Sequence, residues 1–274
     1  NASLPQFEVT TLAYLGKQVN RYSRIRLWGS IGFILTVMSL GALIDVYGIY
    51  LVPSVIFFIY LSIWLASMTV PEVATATGEH HGDSFLQTLK QPAIMAFLAA
   101  AFLMQFSHGA YYAFYSIYME ETGYSKSVIG QFWALGVIAE VMVFIFMHHF
   151  LQRIGAGTVL IISLLLATLR WLMIGWFPDS VAVLLIAQTL HAATFGTFHA
   201  AAIHMVHKAF RGKHQGKGQA LYASISFGLG GALGSLLAGN LWETSGPEIT
   251  FSISAITTLL AAMVVWKWHD RAFD

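Results

Sequence analysis

The chain contains no cysteine, so disulfides and thiol chemistry are excluded and the redox compartment stays undetermined. It is equally short of charge. Asp, Glu, Lys and Arg make up only 10% of 274 residues, against roughly 25% in soluble domains. A soluble core needs a charged shell, and this chain does not have one. The formal net charge of +1 gives nothing for nucleic acid to bind. Short alternating segments of the kind that build a transmembrane barrel are also missing. No G-x-S-x-G nucleophile motif appears, and no His pair at helical i, i+4 spacing marks a metalloprotease site, since His191, His199 and His204 do not fall in that register. No metal and no cofactor are expected.

What is present is apolar length. Hydrophobic residues make up 57% of the chain, in runs near the length of about 20 residues that crosses a bilayer core. The runs predict spans at about 27–46, 50–70, 92–119, 128–147, 158–177, 181–206, 219–241 and 249–266, with 1–14 as the second half of another. A tight turn is expected at Asp45–Gly48. This is an all-α polytopic membrane protein. The chain opens at Asn1 without Met, a leader or a complete first span, as expected of the C-terminal portion of a longer protein.

Basic residues set the expected orientation. Lys17, Arg21, Arg24, Arg26, Lys90, Arg153, Lys208, Arg211, Lys213, Lys217, Lys267 and Arg271 fall on one side, and Lys126 alone on the other. The linker and the C-terminus are therefore expected in the cytoplasm, and Asp45, Glu120, Glu121, Asp179, Glu243 and Glu248 outside. The most polar stretch, 71–91, with His80-His81, reads as a cytoplasmic linker between 1–70, the end of one transmembrane half, and 92–274, the other half. Leu27-Trp28-Gly29-Ser30-Ile31-Gly32-Phe33 matches Leu221-Tyr222-Ala223-Ser224-Ile225-Ser226-Phe227, and both copies follow a basic loop. Parallel repeats of this kind are typical of major facilitator transporters.

Buried charge then marks the chemistry. Glu140 lies about 20 Å below the outer surface and Arg170 about 18 Å above the inner one, at about 1.5 Å per residue. A charge at such depth costs at least about 2.5 kcal/mol. Glu140 could carry a coupled proton, or could serve packing alone. Arg170 could pair with Glu140, ligate a substrate carboxylate, or snorkel to the interface beside Trp171 and Trp176. His108 and His191 sit near mid-depth, with Gln188 one turn from His191. Imidazole suits a proton relay, and a simple interhelical hydrogen bond is the plainer reading. His199 and His204 are expected to be structural or interfacial. Tyr111, Phe114, Tyr115 and Tyr118 fall along one side of their helix, next to Tyr112, and could wall a cavity for a ring-shaped ligand. Gly228, Gly230, Gly231, Gly234 and Gly239 give small-xxx-small spacing, which predicts close helix packing.

Arg26-Leu27-Trp28-Gly29-Ser30, His108-Gly109-Ala110-Tyr111-Tyr112, Gly136-Val137-Ile138-Ala139-Glu140-Val141, Arg170-Trp171 and Leu190-His191-Ala192-Ala193-Thr194-Phe195 occur in that order. On these segments the chain resembles the 3-phenylpropionic acid transporters of the major facilitator superfamily, a branch related to proton-coupled sugar and nucleoside symporters. The resemblance implies the major facilitator fold, with this chain covering part of span 4 through span 12. It also implies a multi-pass inner-membrane monomer that transports a small aromatic acid together with a proton by alternating access. The acidic residue of the family pattern falls near Glu8. The superfamily's loop signature is degenerate at Gln152-Arg153-Ile154-Gly155, which lacks its acidic residue. Glu140, His108 and His191 are then the expected proton-coupling residues. Arg170, Tyr111, Tyr112, Tyr115, Gln105, Gln188 and Glu8 are expected to contact substrate. A sugar or nucleoside symporter and, from a different class, an intramembrane enzyme are the alternatives. An enzyme would need a catalytic cluster that the sequence does not offer.

Overall fold

A computed structural model describes residues 7, 10, 11, 14, 15, 22–70, 84–210 and 214–272. Glu8, His80-His81 and most of the polar linker lie outside the described residues. The helices are α1 (Tyr22–Tyr47), α2 (Leu51–Ser67), the short α3 (Phe85–Leu89) and α4 (Pro92–Glu121). The run Lys126–Trp176 breaks at Gly155 into α5 (126–154) and α6 (156–176). A further helix, α7, spans Val181–Ala209. A last pair, α8 (215–245) and α9 (247–272), meets at Gly246. Each of the eight predicted spans coincides with one of these helices. The observed helices begin slightly before the predicted α5 and α6 spans, because apolarity marks the hydrocarbon depth and caps mark the helix end.

The two breaks have one cause. Gly155 (φ 75°, ψ 157°) and Gly246 (φ 83°, ψ 173°) adopt backbone conformations that a Cβ disfavours. Pro247 follows Gly246 directly and opens α9, where its missing N–H would have had no helical partner. Gly155 is the glycine of the degenerate loop signature, so that segment still makes its sharp turn without the acidic residue.

The chain divides into two compact units, Asn1–Thr77 with Ser125–Ala134, and Gly78–Tyr124 with Leu135–Asp274. In the first, α1 leaves apolar side chains such as Trp28, Leu35 and Val46 exposed. Among the described residues of this unit, glycines pack closely along one seam. A Cβ at Gly41 would lie 2.5 Å from the Lys126 carbonyl oxygen, and one at Gly130 would collide with the Val37 carbonyl.

In the second unit α4 is the axis. Two thirds (67%) of its apolar window is buried, against 6% for α1. Phe97, Leu160, Leu164, Phe198, Met205 and Tyr222 are part of the core around it. The glycines of α8 do what their spacing predicts. A Cβ at Gly230 would sit 2.7 Å from the Phe102 carbonyl oxygen, and one at Gly234 would run into the Phe106 carbonyl. Gly109 of α4 meets Gly234 and Ser235 in return, so the two backbones touch. Hydroxyls hold the remaining helices: Ser163 with Thr197 (2.7 Å), Thr168 with Thr258 (2.9 Å), and Tyr118 donating to the Gly175 carbonyl (3.0 Å).

Gly234→Leu is therefore expected to destabilise the protein by at least about 1–3 kcal/mol, since backbone cannot yield as a side chain can. Gly231→Leu, where a Cβ meets nothing within 4 Å, is the matched control. Thermal unfolding of both variants in detergent checks this; equal midpoints would contradict the close-packing account.

Candidate functional site

α4, α6 and α7 bring His108, Tyr111, Arg170, Gln188 and His191 into one cluster. Arg170 is fully buried. Its Nε donates to the Ala187 carbonyl at 3.0 Å, and its guanidinium lies 4.1 Å from the Tyr111 ring centroid and 4.6 Å from that of Trp171. Cation–π contact of this kind stabilises a desolvated guanidinium by about 2 kcal/mol. The two terminal nitrogens have no hydrogen-bond partner among the described residues. Snorkelling is thereby overturned. Trp171 is buried as well, with its Nε1 donating to Ser107 Oγ at 3.3 Å.

The Tyr111 hydroxyl donates to Gln188 Oε1 at 2.8 Å, leaving Gln188 Nε2 without a partner. His108 Nδ1 lies 2.8 Å from the Met104 carbonyl. A carbonyl only accepts, so Nδ1 carries the proton and a neutral ring leaves Nε2 as a bare acceptor. That Nε2 has no partner among the described residues, and neither has His191 Nδ1. Buried polar atoms are nearly always bonded. Here unpaired atoms from His108, Arg170, Gln188 and His191 belong to one ring cluster, since Tyr111 packs against both Arg170 (4.1 Å) and His191 (5.8 Å) and Trp171 meets the His108 edge at 4.8 Å.

Glu140 sits on α5, half-buried, with its side chain laid against α7. A Cβ at Gly196 would lie 2.7 Å from Glu140 Cγ. Gly136, one turn earlier, makes room for the His191 ring, which a Cβ there would meet at 3.3 Å. Tyr112 is 48% exposed, its ring 5.7 Å from that of His108. Tyr111 and Tyr115 are wholly buried, their rings 4.9 Å apart. Of the three tyrosines expected to contact substrate, only Tyr112 is exposed in this structure. Gln105 is buried on the α8 side of α4, its Cβ 3.4 Å from where a Cβ on Gly230 would stand.

Sequence reasoning missed Phe195. It stacks on His191 (5.3 Å, 5°) and on His199 (6.2 Å, 7°), and it approaches His108 (5.9 Å). The i+4 and i+8 spacing from His191 was visible. Its use was hidden because Ala192–Gly196 forms a π turn rather than an α turn. Ser224–Gly230 forms a second one, and the Phe195 and Phe227 rings meet edge-on between the two at 6.3 Å. Hydroxyls that bond back to carbonyls bend helices. Thr197 does so to Ala193, and Ser226 to Tyr222. His199, expected to be structural or interfacial, faces Tyr222, with Nδ1 3.2 Å from the hydroxyl. Among the described residues no three His, Asp or Glu side chains are grouped as a metal site would require.

The sequence matches the model of the MFS_1 like family over residues 1–253. A probable 3-phenylpropionic acid transporter of Escherichia coli (strain K12) is 30% identical over 250 residues, covering 88% of this chain and 63% of that protein. The uncharacterized transporter YwbF of Bacillus subtilis (strain 168) is 25% identical over 88% of this chain and 60% of its own length. The chain thus spans somewhat under two thirds of these relatives. Among solved structures, the nucleoside transporter NupG superposes with a TM-score of 0.76 over 95% of this chain and 71% of that one. At 17% identity that likeness concerns the fold alone.

Proposed function

The chain belongs to the MFS_1 like family, and from that premise we propose that it works as a secondary transporter carrying a small organic acid, aromatic for preference, together with a proton. The observation that carries this reading is Arg170. A buried guanidinium with two unpaired terminal nitrogens is costly unless an anion completes it. A substrate carboxylate fits that role, with Gln188 Nε2 as a further donor beside it. The surrounding rings of Tyr111, Trp171 and Phe195, and the open face of Tyr112, suit an aromatic body. The name of the E. coli relative points to the same substrate class.

Proton coupling is assigned to Glu140, with His108 and His191 as partners, because each imidazole offers one ring nitrogen outside any hydrogen bond. Coupling requires proton affinity to differ between the two access states, since only differential affinity shifts an equilibrium. Gln105 and Glu8 complete the proposed set, Gln105 from under the second π turn and Glu8 from a segment outside the described residues. Residues 1–70 and 92–274 are proposed as parts of two transmembrane halves joined by 71–91, with the linker and the C-terminus cytoplasmic, in a protein that acts as a monomer in the inner membrane.

Uptake by the full-length protein in proteoliposomes tests the reading across aromatic acids, their neutral amides, sugars and nucleosides, with and without an inward pH gradient. Acids should accumulate only with the gradient. Accumulation of a sugar or nucleoside without any acid would overturn it.

A further inference from the structure

The outer end of α1 is tied to the start of α5 by one carboxylate. Asp45 accepts from the backbone N–H of Lys126 through Oδ1 (3.0 Å) and from that of Ser127 through Oδ2 (2.8 Å). The first N–H groups of any helix lack internal partners, and their account closes here. The Val128 N–H goes to the Ser125 hydroxyl at 3.3 Å, and the Ile129 N–H to the Ser125 carbonyl at 3.0 Å. Ser125 thus caps its own helix, and Asp45 of a different helix takes the two donors that Ser125 leaves.

The same seam brings Gly41 against the Lys126 carbonyl and Gly130 against the Val37 carbonyl. The glycines bring the two helix ends near enough for a short Asp side chain to reach across. We propose that Asp45 is a latch: it caps α5 from α1 and holds this mouth of the translocation path shut, and it must let go for the path to open there. This rests on the transporter reading for the word path; the tie itself does not.

An exposed position suits a latch better than a buried one. Asp45 is exposed, so water replaces it on the Lys126 and Ser127 N–H groups when it withdraws. The bond is then worth only as much as a helix cap, and a substrate can break it. A buried pair would hold the mouth closed permanently.

The test uses the full-length protein in lipid nanodiscs with spin labels on cysteines introduced at Val46 and Gln131; the present chain contributes no competing thiol. The ratio of long to short interlabel distances is read with Asp45 intact, as Asp45→Asn and as Asp45→Ala. Asp45→Ala should raise that ratio about fivefold, the factor that losing a capping side chain produces. Asp45→Asn, which keeps one acceptor, should fall between. An unchanged ratio, or a shorter mean distance in Asp45→Ala, overturns the latch. The distances need no substrate, so a shifted ratio in a protein that moves no acid would sustain the latch and defeat the transport reading instead.

Discussion

Arg170→Gln is expected to weaken binding of carboxylate substrates by at least about 30-fold, the low end of the 2–5 kcal/mol lost when one member of a buried hydrogen-bonded charge pair is removed. A neutral amide of the same shape should lose little, because Gln keeps a polar head at the same place. The comparison between acid and amide is decisive. Equal loss for both would mean that Arg170 supports the packing of Tyr111 and Trp171, on which its guanidinium lies, and does not touch substrate. Arg170→Lys should also fail. An ammonium cannot present a planar fork to a carboxylate while lying flat on two rings. Binding of a labelled aromatic acid to the purified full-length protein, competed by acid and amide in turn, gives both numbers.

Glu140→Gln is expected to separate binding from accumulation. A gradient of one pH unit can support about tenfold accumulation per proton carried; the variant should fall to simple equilibration, an internal-to-external ratio of about one. Exchange of substrate across the membrane without a gradient should continue, since Gln imitates the protonated acid. The amide is also the substitution that the packing tolerates. The side chain lies against Gly196, and Gln is nearly isosteric with Glu. Gradient-driven accumulation that survives in Glu140→Gln would leave the residue with a packing role alone.

The spans were legible because hydrocarbon thickness imposes a length on every one of them, and the glycines of α8 were legible because touching backbones require small residues at fixed spacing. The residues of the candidate site stood out for a related reason: a charge or imidazole at mid-depth is conspicuous against an apolar background. What each residue touches was not legible. Arg170 was expected to pair with Glu140, to ligate a substrate carboxylate or to snorkel, and none of these expectations placed its guanidinium over Tyr111 and Trp171, where it lies. Helical spacing on one segment carries no information about a ring supplied by another. The part played by Phe195 was hidden for a different reason, because a π turn alters the register that periodicity assumes.

The two π turns have a consequence for insertions and deletions. Each holds one residue more than an α turn would in the same place. Removing a single residue from Ala192–Gly196 would restore an ordinary helix without breaking it. The bulge absorbs its extra residue locally, so the helix beyond the turn would keep its present direction and His199 would stay against Tyr222. What would be lost is the bulge itself: Phe195 would leave its place in the stack between His191 and His199 and its edge-on contact with Phe227. Chain length within these five residues therefore sets where one ring stands as surely as side-chain chemistry does. A one-residue deletion there should be milder for stability than a proline and harsher for function than most point substitutions.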